Sequence, residues 1–201
     1  MKNLAMLFAR SSLSTVNTIA DIRSLAARRV PRMIFDFIDG GADAELTMAA
    51  NRRSLDDWQF DPRYLCDVSA RDVSTTVLGE RIALPFGLAP AGLATVAHPE
   101  GELAAARAAG RAGTVFAVST ASGHTLEAIA DVATGPLWFQ LYLWKDDDVV
   151  GSLVDRAAAV GCSALVLTID VPTVGKRERD LRNGMSLPPR IRTRGVLDAA
   201  R

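Results

Sequence analysis

The sequence predicts an α/β chain that forms part of a (β/α)8 barrel, and three observations predict it. Four apolar runs, at residues 84–90, 114–119, 137–142 and 164–170, lack polar–apolar alternation, which is the pattern of parallel strands covered on both faces. Helix-length segments separate them in repeats of roughly 30 residues, the length of a βα unit with its right-handed crossover. Each run also ends in small or polar residues: Pro90 to Gly92, Ser119 to Ser122, Gln140 with Tyr142, and Thr168 with Asp170. Carboxyl strand ends converging on one rim are where a barrel keeps its chemistry. The doubly wound alternative is disfavoured, because no G-x-G-x-x-G follows the first run.

Ahead of the repeats, Ile19, Ile22, Leu25 and Ala26 recur at helical spacing, with Thr18 as cap and Asp21 in the first turn. Pro31 suits the first turn of a second helix, MIFDFID, which Gly40 and Gly41 should end. A third helix is expected over residues 43–55. Residues 73–77 are rich in β-branched side chains, and Gly79 marks a turn. From residue 84 onward strands alternate with helices that begin near Pro99, Thr125 and Asp146. The reading is one incomplete domain over 1–201, with a helical and β-hairpin cap at 1–83 and the first four barrel strands at 84–201. A complete barrel takes ~250 residues and eight such strands.

Composition bounds the function. Lys plus Arg and Asp plus Glu number 23 each, so no net field attracts nucleic acid or an anionic membrane. A small anionic substrate would be held by local charge. Cys66 and Cys162 match no metal or redox spacing and read as reduced core thiols. No metal site is expected. No window approaches the ~18 consecutive apolar residues of a membrane span, and the opening residues do not read as a signal peptide. The cytoplasm is the expected compartment. The Arg-rich stretch 190–201 leaves peripheral attachment to the inner face of the membrane open.

Five motifs, FDFIDGGA, LAPAGL with AHPEGE, STAS, WFQLY and LTIDVPTVGKRERD, occur in order between about Leu25 and Arg194. Together they resemble the FMN-dependent 2-hydroxy acid dehydrogenase and oxidase family, which includes lactate and mandelate dehydrogenases and glycolate oxidase and has a TIM-barrel fold. The resemblance implies FMN as cofactor and oxidation of a small L-2-hydroxy acid to the 2-oxo acid. It implies quinone, cytochrome or oxygen as electron acceptor, and a homo-oligomer. By the same resemblance Pro90, Ala91 and Gly92 lie against the flavin near N5, Ser119, Gln140 and Thr168 hydrogen-bond its ring system, and Tyr142 and Arg177 contact the substrate. Asp170 matches a supporting position, and Lys176 adds charge beside Arg177.

The chemistry suits these types. Arg offers a planar fork for a carboxylate, and hydroxyl and amide groups suit a ring that presents both donors and acceptors. The sequence departs from the pattern at Phe37, where many relatives carry a Tyr that reaches the substrate carboxylate. Ala121 stands where some short-chain oxidases carry a large aromatic, which favours an aryl acid, and Gly92 resembles the quinone-linked members. The family's base is a His in a motif such as SNHGGRQLD on a later strand. His98 and His124 are the only histidines here, so the base is expected beyond residue 201 and no catalytic residue is assigned. The alternative is a noncatalytic half-barrel or interaction module that needs a complementary chain.

Overall fold

The computed structural model describes residues 16–170, 173 and 175–185. In chain order its helices are α1 (Ile19–Arg29), α2 (Arg32–Asp39), α3 (Leu46–Asp56), α4 (Gly101–Arg111), α5 (Leu126–Val132), α6 (Asp147–Ala159) and α7 (Glu178–Asn183). Its strands are β1 (Thr75–Val77), β2 (Glu80–Ile82), β3 (Phe116–Ser119), β4 (Leu137–Tyr142) and β5 (Ala164–Thr168). A 3-10 turn spans Ala94–Val96. The contacts divide the chain into two compact units: the described parts of Met1–Trp58 and Gly175–Arg201, and those of Gln59–Val174.

In the first unit, Thr18 and Asp21 form a capping box that opens α1. Gly40 closes α2: its N–H bonds Asp36 O at 2.9 Å, and a Cβ there would lie 2.6 Å from that oxygen. Helix α3 begins three residues later than the pattern predicts. Asp43 and Glu45 adopt left-handed φ values of 47° and 60°, so no right-handed turn can form before Leu46. Helix α7, which the sequence reading did not anticipate, packs against α2 through a charged clamp. Arg179 reaches Asp39 at 3.0 Å and Glu45 at 2.5 Å, Arg23 reaches Asp39 from α1 at 2.5 Å, and Asn183 Nδ2 donates to Asp36 at 2.7 Å.

In the second unit, β1 and β2 form a hairpin with Val77 opposite Glu80. Its two turn residues, Leu78 and Gly79, both have positive φ, as the tight hairpin connection demands. Strands β3, β4 and β5 form a parallel sheet in sequence order, with Ser119 paired to Gln140 and Tyr142 to Thr168. Side chains alternate faces along a strand. Phe116, Val118, Leu137, Phe139 and Leu141 therefore share the face that builds the core with Ala106 and Ala109 of α4, Leu126 and Ile129 of α5, and Ala157 of α6. Thr125 and Asp146 cap α5 and α6 with side-chain bonds to the first-turn amides.

Three expectations are corrected. The predicted first strand at 84–90 is reduced to a single parallel bridge, Leu88 to Phe116, held by Leu88 N–H on Val115 O at 2.9 Å and Ala117 N–H on Leu88 O at 3.0 Å. Pro85 and Pro90 have no amide hydrogen and cannot extend the ladder. Of the two cysteines only Cys162 is shielded, and Cys66 is exposed. The neighbouring Tyr64 and Leu65 are also exposed, so this segment builds no core. Strand β5 ends at Thr168, two residues early, and Ile169 is 82% exposed. The Arg-rich residues 190–201 lie outside the described residues.

The core face of this parallel sheet is helix-covered except at β5, where Leu165 and Leu167, in register with Phe139 and Leu141, stay about half exposed.

Candidate functional site

The parallel register brings polar groups from three strand ends into one row on the face opposite the core. Gln140, only 3% exposed, sits at its centre. Its Oε1 accepts from Ser119 Oγ at 3.1 Å and from Thr120 N–H at 3.2 Å. Its Nε2 donates to Thr168 Oγ1 at 2.7 Å. A primary amide has two acceptor lone pairs and two donors, so one Nε2 hydrogen remains. Thr120 closes the strand end: its hydroxyl bonds Gln140 O at 2.5 Å and receives Tyr142 N–H at 3.2 Å. Tyr142 follows on the same face at the carboxyl end of β4, the central strand, 38% exposed.

The loop after the Leu88 bridge lies against this row. Leu93 N–H bonds Ala121 O at 2.9 Å. A Cβ on Gly92 would stand 2.9 Å from Ala121 Cβ and 3.4 Å from Ser119 Oγ, so only glycine lets the two backbones approach this closely. Ser119 Oγ in turn accepts Ala121 N–H at 3.1 Å. Pro90, Ala91, Gly92 and Ala121 present an exposed, side-chain-poor rim. The structure thus brings Gly92, Ser119, Gln140 and Thr168 together, with Pro90, Ala91 and Tyr142 adjoining along the chain.

Arg177 belongs to the first unit, where it precedes α7. Its Nε donates to Asp180 at 2.5 Å, its Nη2 donates to the Phe37 carbonyl, and its guanidinium lies 5.3 Å from the centroid of the Phe37 ring. The cation is thereby stacked and oriented. Phe37 contributes a π face where a hydroxyl was missed. Lys176 pairs with Glu178 at 3.3 Å on the surface, and Asp170 is exposed. His98 is exposed, and its Nδ1 accepts Glu100 N–H at 3.1 Å, which makes it a local cap.

Sequence reasoning missed one buried group beside the row. Glu102, in the first turn of α4, is 1% exposed. It accepts Ala94 N–H at 3.1 Å, Gly123 N–H at 3.0 Å and a bond with His124 Nδ1 at 3.0 Å. Burial opposes its ionisation, but the Gly123 amide, His124 and the Ala94 amide outweigh it and hold the carboxyl below the ordinary glutamate value. The available signal was an acidic residue that α4 does not need as a cap, two residues after Pro99-Glu100.

Comparison with known proteins gives this arrangement a context. The family described as FMN-dependent dehydrogenase matches residues 26–201. The chain is 45% identical over 192 residues to the "Putative L-lactate dehydrogenase" of Mycobacterium tuberculosis, covering 95% of this chain and 46% of that protein. It is 40% identical over 174 residues to glycolate oxidase of Spinacia oleracea, covering 87% and 47%. The crystal structure of the monotopic membrane protein (S)-mandelate dehydrogenase superposes with a TM-score of 0.86 at 40% identity, covering 92% of this chain and 49% of that one. The chain spans about half the length of the curated relatives it matches.

Proposed function

Because the chain belongs to the FMN-dependent dehydrogenase family, we propose that its sheet is the first half of the barrel of a flavoenzyme that oxidises a small L-2-hydroxy acid, of lactate or mandelate type, to the 2-oxo acid. The row Ser119–Gln140–Thr168 beside Gly92 carries this reading. It offers hydroxyls and a spare amide hydrogen at one strand-end level, and the lack of a Cβ on Gly92 lets its loop close against Ala121 and Ser119. This donor and acceptor set fits the isoalloxazine edge. When bound, FMN supplies a two-electron acceptor at N5.

In this proposal Pro90, Ala91 and Gly92 form the wall against the flavin, while Ser119, Gln140 and Thr168 fix its ring. Tyr142 and Arg177 hold the substrate, Arg177 through its charge on the carboxylate. No base is assigned among these residues, and the resemblance assigns that role to a His on a later barrel strand. A quinone, a cytochrome or oxygen takes the electrons, the assembly is a homo-oligomer, and the site is the cytoplasm or the inner face of the membrane. Among the described residues no helix is long and apolar enough to cross a membrane.

A second reading, a noncatalytic half-barrel that docks a complementary chain, is favoured only by the half-exposed Leu165 and Leu167 on β5.

The test is Arg177→Met in the FMN-loaded protein. A hydrogen bond to a charged group contributes about 1.5–3 kcal/mol, so lactate or mandelate affinity should fall roughly 10- to 100-fold with the flavin spectrum unchanged. Equal affinity in the variant would refute the substrate role. Failure of the unaltered protein to take up FMN would refute the cofactor reading.

A further inference from the structure

We propose that Glu102 is the positioning residue of the candidate flavin site: its buried carboxylate locks the loop after the Leu88 bridge to the loop after β3 and so sets the spacing of the rim. The inference rests on the functional reading above and assigns a role to a residue that touches neither cofactor nor substrate. One oxygen, Oε1, receives an amide from each loop, Ala94 N–H at 3.1 Å and Gly123 N–H at 3.0 Å. The other, Oε2, meets His124 Nδ1 at 3.0 Å. With both oxygens occupied, the carboxylate staples segments more than twenty residues apart in sequence.

The loops it staples are those that meet at the rim. Leu93, next to Ala94, donates to Ala121 O at 2.9 Å, and a Cβ added to Gly92 would stand 2.9 Å from Ala121 Cβ. Behind them Gly123 lies so close to Thr95 that an added Cβ would stand 2.0 Å from Thr95 Oγ1. Each loop is otherwise exposed on its outer side, at Pro90 to Gly92 and at Ala121. A charge-assisted bond is roughly twice as strong as a neutral one, and an ionised carboxylate accepts only, so neither amide has to compete with a donor on the same group. Glu102 therefore acts through the backbone. Shifting either loop by a few tenths of an ångström would move Gly92 and Ser119 relative to Gln140.

The test compares Glu102→Met, Glu102→Gln and His124→Ala with the unaltered chain by amide hydrogen exchange and by FMN titration read through flavin fluorescence and visible circular dichroism. Methionine keeps an unbranched stem but offers no oxygen to either amide, whereas glutamine keeps an Oε1 that accepts both amides while its Nε2 faces His124 Nδ1. In Glu102→Met, exchange at Ala94, Leu93 and Gly123 should rise at least tenfold while β3 and β4 amides stay protected. FMN should bind at least tenfold more weakly with an altered flavin dichroism. Glu102→Gln and His124→Ala, which leave both backbone contacts in place, should change loop exchange less than threefold. Unchanged exchange at Ala94 and Gly123 in Glu102→Met would overturn the proposal, as would an equal rise in Glu102→Gln, or faster exchange with unchanged FMN affinity and dichroism. If the unaltered chain takes up no FMN while the loop amides still respond, the functional reading falls and the loop clamp stands, so the two failures are distinct.

Discussion

Replacing Gln140 with Leu removes three side-chain hydrogen bonds at nearly constant volume. The cost is unequal among the partners. Thr120 N–H keeps the Gln140 backbone carbonyl at 3.1 Å and loses only its second acceptor. Thr168 is partly exposed, and its hydroxyl can turn to water. Ser119 is 5% exposed, and its hydroxyl hydrogen loses the acceptor it had at 3.1 Å. A stranded buried donor costs about 1–3 kcal/mol, and a simple lost neutral bond about 0.5–1.5. Set against roughly 1 kcal/mol gained by burying the apolar leucine end, the variant should be about 1–3 kcal/mol less stable. Urea unfolding followed by circular dichroism measures this. The diagnostic arm is Ser119→Ala on top of Gln140→Leu. Removing the stranded hydroxyl also takes the acceptor of Ala121 N–H at 3.1 Å, so Ser119→Ala should cost about 1 kcal/mol less in the Gln140→Leu background than it does alone. A Gln140→Leu variant within 0.5 kcal/mol of the parent, or a double variant whose cost is the sum of the single costs, would show that the row stores no coupling and refute the reasoning.

Helix glycines should respond with opposite signs. Gly110 of α4 has no room, since a Cβ would stand 2.1 Å from Thr134 Oγ1 and 3.1 Å from Gly135 N; Gly110→Ala should lower the urea midpoint. Gly151 of α6 has nothing within 4 Å, so Gly151→Ala should gain about 0.5–1 kcal/mol. Acid stability should depend on Asp39, whose carboxyl the Arg23 hydrogen bond, with Arg179 behind it, holds below the ordinary value of 3.8. A depressed carboxylate stabilises the fold above the unfolded value, and that contribution is lost as pH falls through the folded one. Below about pH 4 the parent should lose stability more steeply than Asp39→Asn, and parallel slopes in urea titrations at pH 5 and pH 3 would count against the clamp. Truncating Ile129, 0% exposed in the core, to Ala should cost about 2–5 kcal/mol by the same urea assay.

The legible parts of this fold were the local ones. Thr18, Thr125 and Asp146 announced their helices because capping needs only a side chain within three residues of its amides. The row Ser119, Gln140 and Thr168 was legible because strand ends in successive βα units fall at the same level once the strands are in register. What the sequence concealed depends on partners far along the chain. Asp39 and Arg179 lie 140 residues apart, Glu102 meets its amides from two different loops, and neither arrangement leaves a periodicity. The 84–90 run was overread because its apolar content satisfied the strand pattern while Pro85 and Pro90 removed the amides a ladder requires. Arg177 was found through motif likeness alone; nothing in its spacing foretold the stack on Phe37.

The spatial order of the sheet equals its order of synthesis. Strands β4 and β5 begin about 27 residues apart, which a ribosome takes roughly 1–5 s to make at 5–20 residues per second, while elementary pairing events take microseconds. Each strand can therefore dock on the one before it, and each helix close over the joint, before the next strand has left the exit tunnel. No pairing in β3-β4-β5 has to wait for a distant partner, and at every moment of translation the growing edge is the newest strand. Among the described residues strand β5, with Leu165 and Leu167 half exposed, is the last strand to join that order.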